Sequence, residues 1–295
     1  MASPDQRLPA NAPGDLYVDR SCIDCGACRW IAPQTFDLHG DQSRVHTQPS
    51  APEARRAALQ ALVSCPTASI GSADARAAAD VIADFPRPYA PDILHCGFHA
   101  KDSYGAASWL IQRPDGNVLV DSPRYNAPLV RRLEALGGVR WMFLTHRDDI
   151  ADHAKFHAHF GCDRILHQAD GGARLGVEVV LEGEDPVRLA PDLEILPTPG
   201  HTRGSACLLY RDQALFTGDT LAWSARLGHV IAFREACWYS WDVLQQSVAR
   251  LATRTYSWLL PGHGAPVHLP AAEMVRSVLR CGQWMAAPRS APSWP

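Results

Sequence analysis

The residues from His146 to His153 include two histidines and three aspartates within eight positions. They follow the apolar run 141–144, which has the character of a buried strand. Polar side chains just past the end of a strand are where α/β proteins place their chemistry. Imidazole and carboxylate are ligands for zinc, iron and manganese, so this stretch predicts a metal site.

Three later segments have the same form, a strand-like run that ends in one ligand-type residue after a glycine. Those residues are His201, Asp219 and His263. A lone histidine is more often structural than a ligand, but four such segments in one chain favour a shared site. Ligands gathered from several loops suit two divalent metal ions, which we predict to be zinc, iron or manganese.

A second group of ligand-type residues lies near the start of the chain. Cys22, Cys25 and Cys28 are separated by two-residue spacers, and Cys65 follows at a distance with a proline after it. Three thiolates with this spacing can wrap one side of an iron–sulfur cube, and the remote cysteine can close its fourth corner. The alternative is a structural zinc ion on the same four thiolates. Because zinc ribbons use two pairs of cysteines, the triplet favours a single 4Fe–4S cluster.

Length and composition limit the function. The 295 residues suffice for one large domain and one small one, and the net charge of −3 gives no case for nucleic acid or an anionic membrane as a partner. No apolar run approaches about 18 residues, so we expect no membrane span. Nine cysteines, four of them with cluster spacing, favour a cytoplasmic location over a disulfide framework.

The chain divides into five predicted parts. They are a disordered lead (1–14), a cluster-binding domain (15–72), a linker (73–91), a metal-binding domain (92–285) and a disordered tail (286–295).

Local patterns refine this division. Residues 53–63 predict a helix that leads into Cys65, whereas the closely spaced prolines within 85–91 argue against regular structure there. Trp30 and Ile31, just after the cysteine triplet, are apolar. We predict that they pack on the larger domain.

Residues 94–267 resemble the metallo-β-lactamase superfamily, whose relatives include glyoxalase-type hydrolases and flavodiiron proteins. The resemblance rests on a His-rich motif followed by Gly-His, Gly-Asp and Gly-His in the family's order. Residues 15–72 resemble bacterial-type ferredoxins with one cluster. The two resemblances imply an α/β protein, with a four-layer αββα sandwich and a small N-terminal α+β domain.

The family's first motif is His-x-His-x-Asp-His, and this chain departs from it. His146 matches the first histidine, Asp148 stands where the second belongs, and Asp152 with His153 matches the closing pair in a loop two residues longer. The resemblance therefore implies His146 and Asp148 as ligands of the first metal, and Asp152 and His153 as ligands of the second. Asp152 is also our candidate catalytic residue.

The later ligands follow the family pattern more closely. The resemblance implies His201 as the third histidine, Asp219 as the carboxylate that bridges both metals, and His263 as the last ligand of the second metal. Asp149 has two interpretations at this point. It is either a further ligand or the cap of a helix that begins at Ile150.

The function predicted from these resemblances is a metal-dependent hydrolase of ester or thioester type, in which hydroxide held by the metals attacks a carbonyl. Rings and arginines within 223–241 suggest a small-molecule substrate of anionic or aromatic character. The alternative is a diiron oxidoreductase that receives electrons from the cluster and ultimately from a partner, since Asp148 enriches the site in oxygen ligands. A second alternative is a non-enzymatic electron carrier or iron–sulfur sensor.

Overall fold

A computed structural model describes residues 2–74 and 76–287, so the predicted tail lies almost entirely outside the described residues. The strands, in chain order, are β1 (Tyr17–Val18), β2 (Phe36–His39), β3 (Gln42–Val45), β4 (Ile70–Gly71), β5 (Arg87–Ala90), β6 (Ile93–His95), β7 (Trp109–Ile111), β8 (Val118–Val120), β9 (Trp141–Phe143), β10 (Asp163–His167), β11 (Val179–Leu181), β12 (Val187–Ala190), β13 (Leu193–Pro197), β14 (Ala206–Tyr210), β15 (Ala214–Gly218), β16 (Ala222–Ser224), β17 (His229–Ile231), β18 (Trp258–Pro261) and β19 (Val267–His268). The α-helices are α1 (Ala27–Ile31), α2 (Pro52–Ser64), α3 (Ala79–Ile82), α4 (Ala127–Ala135), α5 (His153–Phe160), α6 (Gly172–Leu175), α7 (Trp241–Leu251) and α8 (Ala271–Ala286). Short 3₁₀ helices cover Pro4–Gln6, Lys101–Ser103 and Gln168–Asp170.

The chain packs as two compact units. The first unit takes the chain up to Arg140 together with residues 151–160, and the second takes residues 141–150 together with the chain from Gly161 onwards. The predicted linker 73–91 therefore lies inside the first unit. Among the described residues, no helix combines the length and apolar character needed to cross a membrane.

The first unit begins with a small α+β layer around the cysteines. Strands β1 and β4 pair antiparallel, and β2 with β3 forms a hairpin. Helix α2 buries Leu59 and Val63 and ends directly before Cys65, which confirms the helix predicted over 53–63.

The predicted disordered lead is wrong. Asn11 is buried, and its side chain donates to the Val18 carbonyl while accepting from the backbone N–H groups of Val18 and Val45. Its neighbour Ala12 donates to the Val45 carbonyl, so the opening segment is fixed against β1 and β3. The amide of one asparagine can hydrogen-bond to several backbone groups and so hold a segment in place. Amino-acid composition does not reveal such hydrogen bonds.

The rest of the first unit contains the antiparallel meander β5-β6-β7-β8. The prediction that prolines exclude regular structure within 85–91 is wrong, because Arg87–Ala90 pairs with β6. Pro88 is tolerated because β5 is the terminal strand of its sheet and the ladder shifts register between Pro88 and Ala90.

The second unit contains the parallel strands β9, β10 and β11 and a second, mostly antiparallel sheet in the order β12-β13-β14-β15-β18-β19. Helices α7 and α8 bury Leu244, Val248 and Val278 in an apolar core with Leu215 and Leu259 of that sheet. This core fixes the strands whose ends carry the predicted ligands.

Strands β15 and β18 explain why two distant ligands meet. They run parallel, with Gly218 opposite Pro261 at their carboxyl ends. Asp219 follows the first strand directly and His263 follows the second after one glycine. Parallel strands deliver their following residues to the same edge of the sheet, so these two side chains are brought together.

Candidate metal centre

Three predicted ligands of the first metal converge in the second unit. The Asp148 Oδ2 atom lies 3.5 Å from His201 Nε2 and 3.9 Å from His146 Nε2, and the two imidazole rings are 4.6 Å apart. Tetrahedral zinc ligands, each about 2.0–2.2 Å from the ion, are separated by roughly 3.4 Å. The observed separations are too long for good hydrogen bonds and suit three donors around one ion, with Asp148 in the place of the family's second histidine.

The orientation of the imidazoles also fits a metal. The Thr145 hydroxyl lies 2.9 Å from His146 Nδ1, which leaves His146 Nε2 directed towards the other ligands. His146 Nε2 and both ring nitrogens of His201 are buried and make no hydrogen bond within the described part of the chain. Buried polar atoms normally have a partner, and a metal ion would satisfy these nitrogens.

Asp219 lies between the two parts of the centre. Its Oδ2 atom is 3.7 Å from both His146 Nε2 and His201 Nε2, and its two oxygens are each 2.9 Å from His263 Nδ1. It is buried, as is His263. The Asp219 carboxylate thus faces all three histidines. This is the position that a ligand shared by two cations would need.

Asp149 belongs to this region as well. His146, Asp149 and Asp219 form a second group whose ligand atoms lie within 4.8 Å of one another. Asp149 is 1% exposed, and a Cβ at Gly262 would lie 2.6 Å from its Oδ2 and 3.1 Å from Asp219 Oδ1. A residue without a side chain is therefore required at position 262 to let the two carboxylates approach.

The capping interpretation of Asp149 is wrong, because α5 begins at His153 rather than at Ile150. Asp152 and His153 belong to the first unit. The Asp152 carboxylate accepts from the Tyr125 backbone N–H at 2.8 Å and pairs with Lys155 at 2.6 Å. The assignment of Asp152 and His153 to a second metal stays a prediction.

Burial controls the charges of these groups. Desolvation lowers the pKa of His146 to about 4, against the opposing effect of Asp219, so the imidazole is neutral and able to bind a metal at neutral pH. Burial alone would raise the pKa of Asp219, but His263, His146 and His201 hold it well below its ordinary value. His201 likewise lowers the pKa of Asp148, whose side chain is 44% exposed and gives the site access to solvent.

Exposed aromatic residues flank the His201 loop. The backbone N–H groups of Trp238 and Tyr239 donate to the His201 carbonyl, and the Trp238 ring lies 6.3 Å from the His201 ring. Trp238 is 60% exposed and Tyr239 48% exposed, whereas Phe233 is buried in the core. Of the rings within 223–241, these two are available to a ligand.

A cleft of about 500 Å³ adjoins this loop. It is lined by Pro199, Arg203, Ser205, Tyr239, His167 and Glu182, among others. Arg234 lies 4.6 Å over the Trp241 ring and is not among the residues that line this cleft.

The four predicted cluster ligands line one small cavity in the first unit. Four cysteine side chains around one cavity are the protein ligands that a 4Fe–4S cluster needs.

The surroundings of the thiols also fit a cluster. Burial raises the pKa of the Cys28 thiol to about 12 and raises that of Cys25 further, so thiolates there need adjacent positive charge such as that of iron. Backbone N–H groups face the sulfurs of Cys22 and Cys25, and the Ser69 N–H donates to Cys65 Sγ at 3.3 Å. Such donors tune the reduction potential of a cluster.

Trp30 packs where the sequence predicted. Its ring lies 4.9 Å from the His95 ring and 6.2 Å from the Trp109 ring, on β6 and β7. This confirms the predicted packing of Trp30 on strands of the larger predicted domain.

Sequence reasoning missed a buried imidazole pair beside this contact. His95 Nε2 and His99 Nε2 are 2.8 Å apart, and His99 Nδ1 lies 2.7 Å from the Gly105 carbonyl. Because Nδ1 faces an acceptor it must carry a proton, so in neutral His99 the Nε2 atom accepts from His95. The four-residue spacing of the histidines is visible in the sequence, but only the fold shows that they hold a loop against Cys25.

We expect Gly105→Ala to lower cluster occupancy. A Cβ at Gly105 would lie 2.7 Å from Cys25 Cβ and 2.9 Å from both Cys25 Sγ and Pro66 Cγ. The matched control is Gly40→Ala, because Gly40 also has positive φ but a Cβ there meets nothing within 4 Å. Both variants carry strain of about 1–2 kcal/mol from the left-handed backbone. Iron content should fall only in Gly105→Ala, and equal content in the two variants would contradict the contact.

Comparisons with known proteins agree with this geometry. The family model described as "Metallo-beta-lactamase superfamily" matches residues 90–285, and the model described as "4Fe-4S single cluster domain of Ferredoxin I" matches residues 18–72. The hydroxyacylglutathione hydrolase of Acidiphilium cryptum (strain JF-5) is 34% identical over 119 residues, which cover 39% of this chain and 48% of that protein. The hydroxyacylglutathione hydrolase of Anaeromyxobacter dehalogenans (strain 2CP-C) is 35% identical over 131 residues, which cover 43% of this chain and 49% of that protein. The chain thus spans about half the length of the curated relatives it matches.

Solved structures support the fold. The BLEG-1 B3 metallo-beta-lactamase matches with a TM-score of 0.50 at 16% identity, covering 66% of this chain and all of that chain. The DIM-1 metallo-beta-lactamase matches with a TM-score of 0.50 at 13% identity, covering 68% and 96%. These likenesses and the model match over 90–285 confirm the predicted α/β class. The chain belongs to the metallo-β-lactamase superfamily and carries a ferredoxin-like domain at its N-terminus.

Proposed function

We propose that this protein is a metal-dependent hydrolase that cleaves a small-molecule thioester. The observation that supports it most is the arrangement of four donors, with His146 Nε2, His201 Nε2, Asp148 Oδ2 and Asp219 Oδ2 separated by 3.5–3.9 Å. A pair of divalent ions held by such donors supplies hydroxide at neutral pH and polarises a carbonyl oxygen.

The chain's own residues would prepare this chemistry. His146, Asp148 and His201 would hold the first ion, and Asp219 would supply a carboxylate to both. His263 would serve the second ion, for which Asp152 and His153 remain ligands predicted from the sequence. Asp152 remains the predicted catalytic residue, as a carboxylate able to accept a proton. The exposed Asp148 edge is the side from which the substrate enters.

The substrate class follows from the surroundings of His201. The adjoining cleft is lined by Arg203 and Tyr239 together with Glu182 and Glu184, so it suits an extended polar substrate, and Arg203 offers a position for an anionic group. The two relatives described above are named for hydrolysis of hydroxyacyl thioesters of glutathione. We therefore propose a thioester with an anionic carrier as the substrate.

The test uses the full chain purified without oxygen. Its metal content is measured, and it is then offered a hydroxyacyl thioester of glutathione and the matching amide. We expect turnover of the thioester, loss of turnover after chelation, and recovery when zinc is returned. A protein with both metal positions filled that cleaves no thioester or ester would refute the hydrolase.

A second candidate is favoured by one specific observation, the carboxylate of Asp148 in place of an imidazole. With Asp149 and Asp219 nearby, the centre is rich in oxygen donors, which moves metal preference from zinc towards iron or manganese. A diiron enzyme would use the ferredoxin-like domain as its source of electrons. The same metal measurement separates the candidates, because two zinc ions exclude this one.

A further inference from the structure

Asp170 lies just after β10, outside both groups of metal ligands. It is 2% exposed and follows the strand at the close of a short 3₁₀ helix. The sequence carried a signal for it, since Asp170 also follows a strand-like run and precedes a glycine. It lies outside the family motifs quoted above.

The Asp170 carboxylate connects two loops that deliver ligands of the first metal. Its Oδ2 atom accepts from the Arg147 backbone N–H at 3.0 Å, and Arg147 stands between His146 and Asp148. The same oxygen accepts from the Thr202 hydroxyl at 2.5 Å, next to His201.

The other carboxylate oxygen fixes the far side of the His201 loop. Oδ1 accepts from the Gly204 N–H at 2.8 Å. Thr202 is bound in turn to Ser205, whose hydroxyl accepts from the Thr202 N–H at 2.9 Å. All three partners of Asp170 are backbone or short side-chain groups, so these hydrogen bonds leave the two loops little freedom to separate.

We infer that Asp170 is a positioning residue for the first metal site, holding the His146–Asp148 segment at a fixed distance from His201. The inference rests on the proposed metal centre. A first-site ion needs its three donors in place at once, and they come from two loops far apart in the sequence. Without Asp170, the hydrogen bond from the Ala206 N–H to the Thr145 carbonyl at 2.9 Å still links the two segments, but the connections at Arg147, Thr202 and Gly204 are lost, so donor spacing becomes less defined. Loss of a group that orients metal ligands typically weakens metal binding by about 10–100-fold.

Asp170→Asn is the most informative change because it preserves shape. An amide has one acceptor oxygen, whereas the carboxylate receives hydrogen bonds on both. If the amide oxygen faces Arg147 and Thr202, the amide NH₂ must face the Gly204 N–H, and two donors then oppose each other. Asp170→Ala removes both connections.

The experiment titrates the metal-depleted full chain with cobalt(II), whose visible spectrum reports the coordination geometry. Asp163→Asn is the matched control, since it makes the same change at an exposed position on β10, the strand that precedes Asp170. We expect about 10–100-fold weaker cobalt binding and an altered spectrum in Asp170→Asn, a larger loss in Asp170→Ala, and no change in the control. The iron–sulfur absorbance and the thermal midpoint of Asp170→Asn should match those of the unaltered protein.

The outcomes are separable. If Asp170→Asn binds cobalt with unchanged affinity and spectrum, the positioning role is wrong. If it loses cobalt binding only together with a lowered thermal midpoint, Asp170 supports folding rather than the metal, and the inference is again wrong. Absence of cobalt binding in the unaltered protein would overturn the metal centre itself and with it the proposed function.

Discussion

Replacing Asp219 with alanine should empty both metal positions and abolish hydrolysis. Its Oδ2 atom is equidistant, at 3.7 Å, from the Nε2 atoms of His146 and His201, while His263 Nδ1 lies 2.9 Å from both oxygens. Removing the Asp219 carboxylate would take away one ligand from each ion. It would also remove negative charge that balances the two cations. We expect turnover to fall by more than about 100-fold, the upper limit for loss of a group that only orients a ligand.

Metal analysis of purified variants provides the measurement. His263→Ala should deplete mainly one ion, because His263 approaches Asp219 but belongs to neither group around His146. Asp163→Ala, on an exposed part of β10, should retain both ions and full turnover. If Asp219→Ala kept two ions per chain, the dinuclear assignment would be wrong.

The parts of the site that sequence could predict are those fixed by strand ends. His201, Asp219 and His263 each follow a strand-like run and a glycine, and the structure brings them together with His146. A hydrophobic run has a definite end, so a polar residue just beyond it has a definite place in an α/β fold.

The stretch between strand and helix was harder to predict. The helix after His146 starts at His153, three residues later than the pattern suggested, and Asp149 is therefore a buried group facing His146 instead of a cap. Capping residues and metal ligands are the same residue types, so the sequence alone leaves both interpretations open.

Order in the first unit was underestimated for a different reason. The Asn11 side chain satisfies backbone groups of Val18 and Val45, and Pro88 lies in an edge strand where a missing N–H costs little. Both features depend on partners far along the chain. Composition and local propensity do not contain that information.

We expect Cys25→Ala to remove the iron–sulfur cluster. Cys25 lines the cavity shared with Cys22, Cys28 and Cys65, and three thiolates leave one iron without a protein ligand. The purified variant should lose its visible absorbance and about four irons per chain. Cys96→Ala, which removes a buried thiol of the same unit outside that cavity, should keep the cluster.

The same variant decides between the two candidate functions. If the protein is a hydrolase, Cys25→Ala should retain thioester turnover within about two-fold once its thermal midpoint is matched to that of Cys96→Ala, since one two-fold change is only about 0.4 kcal/mol in barrier height. If it is a diiron oxidoreductase, loss of the cluster interrupts electron supply, and reductant-dependent turnover should disappear while the metal centre stays filled.

Retained hydrolysis without the cluster would leave the ferredoxin-like domain as a structural or regulatory part. Its packing through Trp30 onto β6 and β7 is compatible with that role, because the contact is made by an aromatic ring and not by a cluster ligand.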